Sequence, residues 1–266
     1  MNIYIELTEQ FNSEKLRAVI SSGQAVVLHR VAIMSKDGDW ILREDEETML
    51  YVLNVLSGYG ARYRYCAPLD IRWMRGGWSS HFEFKHQQFR VRTDFVTRPP
   101  RISEKELMSI WKEQEGRNIP FVDLKNLAEL KKTNREKDYA VIGELARLME
   151  DPRDQLLYSR SARDLVDRAK RYPDLVIELR SRRPVLTKLD EEIEIIEKEL
   201  DAERRALMHA NERRLEIFLK TAEKWATAWS SVEKEISGLP LCDAHALLVR
   251  HAEKLLPFYP AEEHNQ

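Results

Sequence analysis

The stretches Ser21-Ser22-Gly23-Gln24-Ala25 and Asp37-Gly38-Asp39-Trp40 decide how the first hundred residues are read. Just before the first, Ala18-Val19-Ile20 has the apolar, β-rich character of a strand. A small-residue turn that leaves a strand and enters a helix lets the backbone approach a phosphate, whose charge the helix start favours. Positions 25 to 36 then separate Gln24 from Asp37. In Asp37-Gly38-Asp39 the carboxylates stand at i and i+2, which places them on one face of an extended strand. Two like charges so placed repel unless a cation sits between them. Oxygen ligands of this kind suit Mg²⁺ bound together with substrate phosphates. The segment Ser35 to Asp39 is also good turn chemistry, so an acidic turn is the competing expectation.

A third acid lies in Phe89-Arg90-Val91-Arg92-Thr93-Asp94-Phe95-Val96. Asp is unfavourable inside a strand, so Asp94 wants a reason. On a neighbouring strand it would complete a two-metal site and assist deprotonation of an attacking hydroxyl. Asp70, in Leu69-Asp70-Ile71-Arg72, is a rival for that place. Convergence of Asp37, Asp39 and Asp94 within metal-bridging reach is the geometric test.

Outward from these residues, further strands are expected at Tyr63-Arg64-Tyr65, Leu69 to Trp73 and Phe82-Glu83-Phe84. Helices are expected at about 24–34 and 45–57, the second stopped by Gly58 and Gly60. Pro99-Pro100 ends the sheet. Ser103 with Glu106 forms a capping box for a helix over about 104–115, and Asp123 is the N-cap of another. After Pro184 no Gly or Pro occurs until Gly238. Apolar residues there recur at three and four, from Leu186 to Leu207 and from Leu215 to Ile236, as in a coiled-coil seam. The skip near Asn211 implies one long helix with a stutter or a hairpin folded there. The fold class is therefore α+β. Residues 1–100 form a small mixed-sheet core, 101–150 a helical extension, and 151–266 a helical, coiled-coil-like domain.

Composition narrows the classes. The chain has 266 residues, 43% of them hydrophobic, which excludes global disorder. Its 43 Lys+Arg and 45 Asp+Glu give a net charge of -2, so any polyanionic partner must meet a local patch. One exists: nine basic residues against three acids between Arg62 and Arg101, a local +6, interleaved with aromatic rings. Cys66 and Cys242 fit neither a disulfide scaffold nor a metal knuckle. No apolar run is long enough to cross a membrane, and the start lacks a signal-peptide pattern. A cytoplasmic protein with no membrane partner is expected.

Gly23-Gln24, Asp37-Gly38-Asp39 and Asp94 together resemble the signature of the polymerase-beta-like nucleotidyltransferase superfamily. The segment from Ala25 to His29-Arg30 is similar to the element after the glycine turn in minimal and abortive-infection toxin-type members. The likeness continues through Asp123-Leu124, Lys131-Lys132 and Arg135-Glu136-Lys137-Asp138, and covers about residues 15–150. It implies Mg²⁺-dependent transfer of a nucleotidyl group from an NTP to a hydroxyl on RNA, protein or a small molecule. Ser22, Gly23 and Gln24 would meet the nucleotide. Asp37 and Asp39 would hold Mg²⁺ on the triphosphate, and Asp94 would bind a second metal and polarise the acceptor. Lys131 or Lys132 would grip the triphosphate. A toxin–antitoxin role follows by analogy only. Gln24 replaces the family's Gly or Ser, and Gly38 and Trp40 replace apolar residues flanking the acids. Those departures favour the alternative, a degenerate scaffold assembled through its C-terminal helices as a homo-oligomer or with a partner protein.

Overall fold

Short strands and many helices make this an α+β protein, described over residues 2–260 by a computed structural model. The elements run α1 (Ile3–Phe11), β1 (Ala18–Ser21), α2 (Ser22–Leu28), β2 (Gly38–Leu42), α3 (Glu46–Gly58), β3 (Arg62–Tyr63), α4 (Ile71–Met74), β4 (Ser80–His86) and β5 (Phe89–Val96). They continue as α5 (Glu104–Gln114), α6 (Leu124–Leu130), α7 (Glu136–Leu148), α8 (Pro152–Tyr158), α9 (Ala162–Arg171), α10 (Pro173–Leu179), a 3₁₀ turn (Pro184–Lys188), α11 (Ile193–Thr221), α12 (Glu223–Ile236) and α13 (Leu241–Leu255).

The five strands form one mixed sheet in the order β1-β2-β5-β4-β3. β2 and β5 are parallel, and the other neighbours are antiparallel. Period-two alternation sorts the residues. Val91, Thr93 and Phe95 of β5 and Phe82 and Phe84 of β4 are buried, while Arg90, Arg92 and Asp94 lie on the other face of β5. Trp40 stacks on Phe95 with ring centroids 5.4 Å apart, meets Phe11 edge-on, and donates its indole N–H to Thr8 Oγ1 at 2.9 Å. This explains Gly38, where a Cβ would stand 2.4 Å from the Trp40 ring and 2.5 Å from that of Tyr4.

Several expectations are corrected. The helix expected over 24–34 ends at Leu28, with Arg30 in the left-handed region at φ 61°. Residues 69–73 are not a strand. Asp70 caps α4 by accepting from the Arg72 N–H and pairs with the Arg72 guanidinium, so it is no rival ligand. Helix α1, capped by Asn2, was not anticipated; its apolar positions Leu7 and Phe11 complete the core around Trp40.

The chain's packing divides it elsewhere than at 100 and 150. One unit runs to Val122 and resumes at Leu215, and the other is Asp123–Arg214. Extended β bridging explains the first boundary: Val122 N donates to Ile20 O at 3.0 Å and Ile20 N to Pro120 O at 2.9 Å, so the chain stays on the sheet's edge until then. The apolar stripe read as a coiled-coil seam serves two separate cores. Leu186, Leu189, Ile196 and Leu200 join Leu156, Leu165 and Leu179 in the second unit. Trp225, Trp229, Val232 and Ile236 are buried in the first, where α12 packs on α13 and Trp225 Nε1 donates to Cys66 O at 2.8 Å. The helix break falls at Ala222, and Asn211 lies within the continuous α11. Among the described residues no helix is long and apolar enough to cross a membrane.

Candidate functional site

Strand registers build a polar row across the sheet unit. Ser21 of β1 is opposite Asp39 of β2, Asp39 is opposite Asp94 of β5, and Asp94 is opposite His81 of β4. Neighbouring strands lie about 4.8 Å apart, so the four side chains form a line of adjacent positions. Arg64 extends it: its N–H donates to His81 O at 2.9 Å and its guanidinium to Asp94 Oδ1 at 2.8 Å. His81 Nδ1 lies 3.1 Å from the same carboxylate oxygen, and its Nε2 meets Ser79 Oγ at 2.6 Å. Asp37 sits one residue before β2. Its Oδ1 is buried with no hydrogen-bond partner, and the Arg92 guanidinium is 3.8 Å away. Burial, and then the charge of Asp37, push the neighbouring Tyr4 phenol above its ordinary pKa.

The turn between β1 and α2 has no spare room. Ser22 is left-handed at φ 49°, and a Cβ on Gly23 would stand 2.2 Å from Ser35 Oγ. Gln24 is buried, and its amide nitrogen donates to Ser35 O and Asp37 O, both at 3.3 Å. Where the resembling family keeps a small residue, this chain uses Gln24 to tie the loop carrying Asp37 back to α2.

The two lysines lie in the second unit, each facing a carboxylate there. Lys131 Nζ is 3.6 Å from Asp138, with both side chains nearly buried, and Lys132 Nζ is 2.6 Å from Glu129. Asp138 also accepts from Thr133 and Arg135. The basic segment is similarly engaged. Arg62 and Arg90 hold Glu83, Arg75 and Arg98 hold Glu44, and Arg72 holds Asp70 and Glu253. Of the site's residues, Arg64, His81 and Arg92 were not singled out as ligand partners from sequence. For Arg92 the signal was the i, i+2 pattern Arg90, Arg92, Asp94, which puts them on one strand face, whereas Arg64 and His81 reach Asp94 through strand register.

As to a metal, the registers gather acids on one face without building a cage. Among the described residues no group of three His, Cys, Asp or Glu side chains is arranged to hold a cation. Arg64 and His81 occupy Asp94, and Arg92 is the cation nearest Asp37. The donor set in this arrangement does not fit Mg²⁺.

No protein-family model matches the chain, and no curated protein matches it. Two solved structures from Helicobacter pylori are similar to it in part. JHP933 aligns at 13% identity and TM-score 0.38, covering 80% of this chain and 92% of that one. A protein described as a "putative nucleotidyltransferase" aligns at 12% identity and TM-score 0.38, covering 79% and 96%.

Proposed function

We propose that the first unit is a nucleotidyl-transfer core, acting on a nucleoside triphosphate and a hydroxyl acceptor. The observation that supports this most is the single row Ser21–Asp39–Asp94–His81, set beside the glycine turn at Ser22-Gly23. Asp39 and Asp94 concentrate negative charge where an acceptor hydroxyl can lose its proton. Asp94 accepts that proton in this reading, with His81 and Arg64 orienting its carboxylate. Ser22 and Gly23 meet the triphosphate, whose pyrophosphate leaves as the acceptor oxygen bonds to the α-phosphorus. Lys131 and Lys132 are assigned to the triphosphate by resemblance only, and each would first have to leave its carboxylate. Mg²⁺ is given no step, because its expected ligands Asp37, Asp39 and Asp94 would first have to shed Arg92, Arg64 and His81. The toxin-like role stays an analogy.

The test is incorporation of label from α-labelled NTPs into RNA, protein and small hydroxyl acceptors. Wild type, Asp39→Asn and Asp94→Asn would be compared with and without Mg²⁺. Incorporation lost in both variants supports the reading. Absence of both NTP binding and incorporation in the wild type sinks it.

One observation favours a second reading, the degenerate scaffold. Gln24 fills the turn and Arg64 neutralises Asp94, as in a site that has exchanged ligand binding for internal pairing. Its assembly through the C-terminal helices as a homo-oligomer or with a partner protein would show as a stable complex without NTP binding.

A further inference from the structure

The sheet face that carries Asp94 continues away from it as a basic track. On β5, Arg92 and Arg90 lie on the same face as Asp94, and about 3.4 Å per residue puts Arg90 about 14 Å along the strand. Opposite them on β4 are Glu83 and Lys85, and Arg62 of the edge strand β3 is opposite Glu83. Glu83 is the one buried member, with 7% of its side chain exposed, whereas Arg62 and Arg90 are 76% and 58% exposed.

Glu83 works as a bracket. Its Oε1 accepts from Arg62 Nε at 3.0 Å and Nη2 at 2.6 Å, and its Oε2 accepts from Arg90 Nε at 2.7 Å. The Nη1 group of each guanidinium is left outward without a hydrogen bond among the described residues. Side-chain entropy is already lost before any ligand arrives, which is the costly part of ordering an arginine. Lys85 stands beside them, exposed and without an ion-pair partner among the described residues. Arg62, Lys85 and Arg90 against Glu83 make three positive charges against one negative, a local +2. A cavity of about 510 Å³ opens over this group, with Phe84 and Gln88 also on its wall. At the hairpin tip Phe89 is 71% exposed, an aromatic ring offered to solvent from the opposite face of β5 to Arg90. Two ordered guanidiniums and an unpaired ammonium are elements that track a phosphodiester backbone, and a flexible single strand that rounds the hairpin tip also meets an exposed ring on which a base stacks.

We propose that this face binds a single strand of nucleic acid, with phosphates on Arg62, Lys85 and Arg90 and a base stacked on Phe89 where the strand rounds the hairpin tip. The same face of β5 continues from Arg90 past Arg92 to Asp94. The nucleic-acid strand's role as the acceptor of the reaction rests on the nucleotidyl-transfer reading; its binding does not.

The experiment is fluorescence anisotropy of fluorescein-labelled, mixed-sequence 20-nucleotide single strands of RNA and DNA. It uses the full chain in EDTA without NTP, across a salt series. Expected is salt-sensitive binding that Arg62→Ala/Lys85→Ala weakens at least tenfold. Removing two phosphate contacts lowers the slope of log affinity against log salt by about 1.4. Lys85→Ala/Phe89→Ala touches no ion pair and must also weaken binding, which keeps the test sound if removing Arg62 disturbs the fold. No binding at low salt, unchanged affinity in both double variants, or equal competition by a poly-glutamate peptide overturns the inference. Binding to either RNA or DNA supports it, and tighter binding of a duplex overturns it. Strand binding without label transfer removes the transferase reading alone, and transfer without strand binding removes this one alone.

Discussion

Asp39 and Asp94 are direct partners across the parallel β2–β5 pair, two carboxylates at adjacent positions of one sheet row. Parallel pairing leaves both on the same side of the sheet, and the groups paired with Asp94 are the Arg64 guanidinium and the His81 imidazole. If Asp94 and Asp39 do the chemistry, Asp39→Asn and Asp94→Asn should each reduce label transfer at least a hundredfold. Thermal unfolding should show Asp94→Asn within about 1 kcal/mol of wild type, because its ion pair is partly exposed. A variant keeping half the wild-type rate would remove that carboxylate from the reaction.

Gly38 is required by a ring, and that can be measured directly. Its Cβ position is taken by the rings of Trp40 and Tyr4, so Gly38→Ala should cost about 1–3 kcal/mol through overpacking. Urea unfolding reads the cost. In the Trp40→Leu/Tyr4→Leu background the same substitution should cost much less, and an equal cost in both backgrounds would point to the backbone instead.

How far the sequence could be read follows from the range of the forces involved. Caps and turns are local, and Ser103 with Glu106, Asp123, and the acidic start of α3 all stand where the pattern puts them. The strand at Gly38–Leu42 was legible only as one of two choices, because Ser-Lys-Asp-Gly-Asp is good turn chemistry. What decides for the strand is Trp40 packing on Phe95, fifty-five positions away. Asp70 misled for the converse reason: flanking Leu69, Ile71 and Trp73 look like a strand, and one short hydrogen bond to the Arg72 N–H makes a helix cap. Spacing puts Asp37 and Asp39 at i and i+2, and the β2–β5 register, which spacing does not encode, sets Asp94 beside Asp39. That Arg64, from outside the acid motif, would occupy Asp94 depends on β3–β4 register, which spacing does not encode. Likewise the regular stripe from Leu186 to Ile236 is real, and only tertiary contacts show that it feeds two cores.

The two thiols should separate cleanly. Burial pushes Cys66 up to about 12, while Cys242 is exposed. Since the thiolate is the reactive form, Cys66 is nearly all thiol at pH 8. A disulfide-exchange reagent should therefore modify one thiol in the native protein and two in denaturant. Rapid modification of both under native conditions would show that the segment around Cys66 opens.

Acid should release the bracket that Glu83 makes. Burial raises the Glu83 carboxyl, but hydrogen bonds and charge from Arg90 and Arg62 outweigh it, so its pKa is below the ordinary value. A depressed folded pKa gives stability that is present above the unfolded value of about 4.3 and lost as pH falls through the folded one. Arg90→Ala should therefore be less stable than wild type at pH 7, and the gap should close below about pH 4. Urea midpoints at pH 7, 5 and 3.5 would show it. A gap independent of pH would assign the effect of Arg90 to packing rather than to charge.

Arg183 carries a comparable structural demand in the second unit. It is almost fully buried and donates to Leu156 O and Ser159 O, both at 2.7 Å, and to Glu203 at 3.0 Å. Burial raises the Glu203 carboxyl, and the charges of Arg183 and Arg160 pull it below its ordinary value. Arg183→Ala would leave two carbonyls and part of a buried charge without partners, a cost of about 3–5 kcal/mol. Arg183→Lys restores the charge but not the fork that reaches all three acceptors, so it should recover only part. Denaturant unfolding of the full chain reads both variants. Equal stability of Arg183→Lys and wild type would show that charge alone, not the geometry of the guanidinium, holds this end of the second unit together.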